Sequence, residues 1–95
     1  GTCNLMGTYT TFDRDVDRVV VAERLPVIFA MGNTRDQYDC AMFARAGFYT
    51  APPPNSAKNV ISVGAIDRAG ATSTFSAFGP VKDGRVKPEL VARGV

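Results

Sequence analysis

The 95 residues contain no histidine and no tryptophan. Without an imidazole, this chain by itself cannot deprotonate a serine or cysteine through a histidine base. Cysteine is scarce. Cys3 and Cys40 lack the repeated spacing of a zinc site, and the sequence leaves open whether they pair or stand as separate thiols. Long hydrophobic runs are absent too: the longest, Pro26 to Met31, is far short of the roughly 20 residues that cross a bilayer, so no membrane partner is expected. The N-terminus lacks a basic, then apolar, then small-residue leader pattern, which places any targeting signal outside these residues. Blocks of like charge are missing. Eleven basic and nine acidic residues, net +2, are scattered along the chain, a distribution that excludes a nucleic-acid-binding arm.

What is present is an ordinary globular composition, 45% hydrophobic and 21% charged, at a length that supports one small core. From Phe12 to Leu25, Phe12, Val16, Val19 and Val20 recur at helical spacing, with Asp13, Arg14, Asp17 and Arg18 on the other face. This predicts an amphipathic helix capped at Thr11, with acidic residues near the positive end of its dipole, and stopped by Pro26. Asp13, Asp15 and Asp17 point in different directions on such a helix and match no calcium loop, so they are read as a solvated face.

Val27 to Met31 is a continuous apolar run, the pattern of a strand buried on both faces of a parallel sheet. Asn59 to Ala65 reads as a second inner strand. After the turn residues Lys82, Asp83, Gly84 and Arg85 comes a third, Glu89 to Ala92. A helix leading into such strands predicts an α/β fold. Gly32 to Lys58, with the triplet Pro52, Pro53 and Pro54, is longer than the roughly 12–15 residues of a plain connection and is read as a functional loop. Within it, Cys40 to Gly47 is read as a short helix covering the core or a specificity element, core packing being the more frequent use of such residues. No internal repeats and no Gly-rich phosphate loop are visible, which disfavours an unrelated nucleotide-binding domain.

In an open parallel sheet the ligand crevice lies beyond the carboxyl ends of the strands, here at Gly32, Asn33 and Thr34. Glycine permits close approach, and an asparagine amide can donate to a developing oxyanion. Taken alone, Asn33 is equally an ordinary turn residue.

The order of four blocks gives this pair its context: Pro-Val-Ile-Phe-Ala-Met-Gly-Asn (26–33), Ala-Lys-Asn-Val-Ile-Ser-Val-Gly-Ala (57–65), Phe-Ser-Ala-Phe-Gly-Pro (75–80) and Asp-Gly-Arg-Val-Lys-Pro-Glu-Leu-Val-Ala (83–92). The series resembles the subtilisin-like (subtilase, S8) serine proteases. Tyr9, Thr10 and Thr11 ahead of the helix resemble the alkaline, oxidatively stable bacterial subgroup. The resemblance implies an interior part of the catalytic domain over residues 1–95, between the catalytic histidine and the catalytic serine, in a three-layer α/β/α fold with a mostly parallel sheet. Ser56, Ser62, Ser73 and Ser76 are then loop or strand residues, not nucleophiles.

It further implies that Asn33 is the oxyanion-hole asparagine, a donor whose removal from a subtilisin costs about 100- to 1000-fold in turnover. Ala30, Met31 and Gly32 would form one wall of the substrate pocket, with Pro52 and Pro53 near its base. Leu5, Met6 and Gly7, following Asn4, would stand where the family has a strand pairing with the extended substrate. Peptide or protein is the implied substrate, the rest of the catalytic domain the implied partner, and an extracellular location the family expectation. No cofactor is required. Calcium in the parent enzyme stays open, with Asp36 and Asp39 as loop carboxylates whose spacing does not demand an ion.

Leu5, Met31 and Arg93 depart from the family pattern, where a serine, a small residue and a proline are usual, and they motivate an alternative: a non-catalytic pseudoprotease or peptide-binding module of the same fold. By itself the segment lacks the triad and is expected to be inactive. Inner strands without neighbours on both edges and faces should leave apolar surface exposed.

Overall fold

The structure is a computed structural model that describes residues 5–33 and 50–94. Cys3, Cys40, Asp36, Asp39, Thr34 and the 40–47 stretch lie outside the described residues, and with them the questions of pairing, calcium and a covering helix. One helix, α1 (Thr11–Glu23), is followed by three strands, β1 (Ile28–Ala30), β2 (Ile61–Ile66) and β3 (Leu90–Arg93). They form a parallel sheet in the order β1-β2-β3, with Ile28 opposite Ile61 and Val63 opposite Leu90. The α/β expectation holds, and each apolar run expected as a strand contains one.

The cap of α1 lies one residue earlier than the sequence suggests. Thr10, extended at φ −93°, accepts from the Asp13 N–H through its side chain, while the Asp13 carboxylate accepts the Thr10 N–H at 2.8 Å. This reciprocal capping box satisfies donors that the first helical turn leaves orphaned. At the other end Arg24 adopts a left-handed conformation and its N–H closes on the Val20 carbonyl, two residues before Pro26.

The faces of α1 depart from the periodic reading at four positions, while Arg14 and Arg18 are exposed and Val16 and Val20 partly covered as expected. Phe12 and Val19 are exposed, at 53% and 55%, whereas Asp13 and Asp17 are buried. The solvated reading is therefore corrected for Asp13 and Asp17, while Asp15 is exposed as expected: Asp13 accepts the Ser56 N–H at 2.9 Å, and Asp17 accepts those of Lys58 and Asn59 at 2.9 and 2.7 Å. Loop 55–59 passes beside the helix with the N–H groups of Ser56, Lys58 and Asn59 turned toward it. Two carboxylates one turn apart satisfy donors that apolar side chains could not.

The core is small, built around Met31, Ala51, Ala77 and Val81. The expectation that β1 is buried on both faces is corrected for the described residues, since Ile28 and Ala30 are exposed and only Phe29 is partly covered. Leu90 and Val91 of β3 are exposed as well. This is the uncovered apolar surface anticipated for inner strands.

Candidate functional site

The carboxyl ends of all three strands border one cleft of about 180 Å³, lined by Ala30 to Asn33, by Val63 to Ala65 with Ser76, and by Ala92 to Gly94. The topology explains the convergence: parallel strands in register end on the same edge, so the residues following each meet there. Among the described residues of this cleft, Arg93 brings the one formal charge.

Three anchors fix the backbone leading to Asn33. Asn55 donates from Nδ2 to the Ala30 carbonyl at 3.1 Å. The Met31 N–H donates to the Val63 carbonyl at 2.9 Å, and the Ala77 N–H to the Gly32 carbonyl at 3.0 Å. Gly32 sits at φ +96°, and a Cβ there would lie 3.1 Å from Pro52 Cγ. Glycine is thus required twice, by conformation and by close approach. Asn33 itself is exposed at the mouth of the cleft.

Met31 is only 1% exposed and belongs to the core cluster. Its side chain packs inward, so the bulk that marks it as unusual is absorbed by the core. Neither Pro52 nor Pro53 lines the cleft, although Pro52 packs against Gly32 of the predicted wall.

Leu5, Met6 and Gly7 are not brought to the cleft. The extended strand expected there is replaced over residues 5–8 by a turn closed by the Thr8 N–H on the Leu5 carbonyl at 3.0 Å. Gly7, at φ +74°, uses its own backbone internally, donating to the Ala51 carbonyl and accepting from the Lys82 N–H. Left-handed glycine breaks the alternation that an extended strand needs, and the turn follows.

Behind the cleft lies a polar network that sequence reasoning did not single out. Asn55 is buried and its Oδ1 accepts from Ser62 Oγ at 2.7 Å. Lys87, 5% exposed, approaches Ser62 Oγ at 3.5 Å and donates to Glu89 at 3.0 Å, while Glu89 also accepts the Ser62 N–H at 2.9 Å. A buried ammonium needs such a partner, because an unpaired charge there is strongly unfavourable. The Lys-Pro-Glu triplet of the fourth block was a visible signal, whereas nothing in the spacing announces the Asn55–Ser62 pair.

Away from this network, Asp17 and Tyr9 have shifted acidities. Burial pushes the Asp17 pKa up, but the donors Tyr9, Lys58 N–H and Asn59 N–H outweigh it and hold the carboxyl below its usual range. The Tyr9 hydroxyl, donating to Asp17 at 2.6 Å, is pushed up to about 12 by that hydrogen bond, reinforced by burial and the nearby negative charge. Both are distant from the cleft and serve the helix-loop junction. No cluster of potential metal ligands occurs among the described residues, and no described helix is long and apolar enough to cross a membrane.

A family model described as the subtilase family, peptidase S8, matches residues 4–95, nearly the whole chain. The chain belongs to the subtilase family. Subtilases are serine proteases, so this is a serine-protease-type domain whose substrates are peptides or proteins. The subtilase match and the parallel sheet agree on an α/β architecture.

Proposed function

We propose that this subtilase segment supplies the oxyanion-binding and pocket-wall part of a serine endopeptidase, with Asn33 donating to the tetrahedral intermediate. The observation that carries the reading is the anchored strand end: Ala30 is tied by the Asn55 side chain, Met31 and Gly32 are tied by backbone hydrogen bonds, and Asn33 follows at the cleft mouth. A donor that acts on a transition state must be held before charge develops, and a tethered strand end provides this.

In this reading residues 1–95 lie between the catalytic histidine and serine of the parent, Ala30 to Gly32, backed by Pro52, line the acyl-side pocket, and the segment alone does not cleave peptides. The alkaline bacterial subgroup and an extracellular location fit the same reading. The pseudoprotease alternative loses part of one motive, because Met31, although it borders the cleft, is 1% exposed and packs in the core cluster.

The test is a serine-directed fluorophosphonate probe on the full-length protein, with peptide turnover compared between wild type and Asn33→Ala. Labelling of the wild type and a fall in kcat of about 100- to 1000-fold in the variant, with KM little changed, is expected. A folded wild type that takes no label supports the pseudoprotease instead, and an unchanged kcat removes Asn33 from the oxyanion hole.

A further inference from the structure

We propose that Asn55 is a positioning residue for Asn33, holding the end of β1 through the carbonyl of Ala30. The inference rests on the oxyanion reading and extends it to the residue that aims the donor.

Asn55 is 3% exposed and comes from the loop that follows the proline triplet, not from the sheet. Both ends of its carboxamide are engaged, Nδ2 by the Ala30 carbonyl at 3.1 Å and Oδ1 by Ser62 Oγ at 2.7 Å. Ser62 belongs to β2, so one side chain ties the last residue of β1 to the adjacent strand by a route separate from the ladder.

The orientation of the amide is also determined. Lys87 Nζ carries donors only, and it faces Ser62 Oγ at 3.5 Å, the outer limit of a hydrogen bond, on a base fixed by Glu89 at 3.0 Å. The Ser62 hydroxyl oxygen is thereby turned to the ammonium, and its single proton is directed at Asn55 Oδ1. The NH2 group is left for Ala30. A flipped amide would set its oxygen against the Ala30 carbonyl and its NH2 against the hydroxyl proton. Charge on Lys87 therefore biases the direction of the whole relay toward the strand end.

Ala30 precedes Asn33 by three residues, and the intervening backbone is held at Met31 and Gly32. A shift at Ala30 therefore reaches residue 33 through those two held residues, with Asn55 as one of the three restraints that set its position. Misplacement of a reacting group by about 1 Å can cost on the order of 100-fold in rate.

The experiment is a double-mutant cycle in the full-length protein with Asn55→Ala, Asn33→Ala and their combination, together with hydrogen exchange of segment 28–33. Asn55→Ala is expected to lower kcat by about 10- to 100-fold with KM little changed, and to add almost nothing once Asn33 is already alanine. Exchange in 28–33 should accelerate relative to 61–66. Ser62→Ala, which frees the Asn55 oxygen but keeps its donor, should give a weaker effect in the same direction and serves if Asn55→Ala does not fold. Losses that add in the double variant overturn the positioning role, leaving Asn55 as general packing. Unchanged exchange overturns the clamp itself. If Asn33→Ala has no effect on turnover, the oxyanion reading and the link to Asn33 fall together, while the exchange data still decide whether Asn55 holds β1.

Discussion

Asp17 accepts the backbone N–H of Asn59 at 2.7 Å, from a position 42 residues earlier in the chain. The same carboxylate takes the Lys58 N–H and the Tyr9 hydroxyl, and Asp13, one turn before it, takes the Ser56 N–H. The helix is thus coupled to loop 55–59 through its acids, and that loop carries Asn55. Helix, loop and strand end form one mechanical series running from Asp17 to Ala30.

Asp17→Asn should therefore destabilise the full-length protein by about 1 kcal/mol, because one acceptor oxygen becomes an NH2 and leaves a part-buried loop N–H without its partner. Urea or guanidinium unfolding measures it. A change within a few tenths of a kcal/mol would mean that the loop satisfies these donors some other way.

Much of the fold was legible, and for a definite reason. Strands buried in a parallel sheet need unbroken apolar runs, and Val27 to Met31 and Asn59 to Ala65 stand out against their flanks. The same logic put Gly32 and Asn33 at the carboxyl edge, where the cleft is found. The helix faces were legible only in part. Periodicity records which side chains share a face, and a buried carboxylate that accepts loop N–H groups looks the same in sequence as a solvated one. The capping spacing of Thr10 and Asp13 was the available clue. Asn55 and Ser62 pair across a turn, a contact that has no period at all.

The Tyr9–Asp17 bond gives stability a defined dependence on pH at both ends. The folded Asp17 carboxyl is held below its ordinary 3.8. Its contribution is present above that value and is lost as pH falls through the lower folded one. Tyr9 moves the other way, from 10.0 to about 12. Its contribution is complete below pH 10, and it is lost as pH rises toward about 12, because the unfolded chain ionises first. Tyr9→Phe should flatten the alkaline limb between these values in denaturant midpoints recorded across pH. An identical slope in the variant would place the alkaline loss elsewhere.

Gly32→Ala tests the strand end from the backbone side. At φ +96° alanine is strained, and its Cβ would stand 3.1 Å from Pro52 Cγ, tighter than an ordinary contact. Where φ is positive, such a change destabilises by more than about 1 kcal/mol. The two ways of relieving it differ in consequence. If Pro52 gives way, the loop leading to Asn55 moves. If the peptide rotates, the Gly32 carbonyl leaves the Ala77 N–H and Asn33 is redirected. Either path disturbs the donor more than the substrate wall, so turnover should fall further than KM rises, alongside the loss of stability. Kinetics and unfolding on the same preparation check both, and a variant that loses stability while keeping kcat would show that Asn33 does not depend on the geometry of Gly32.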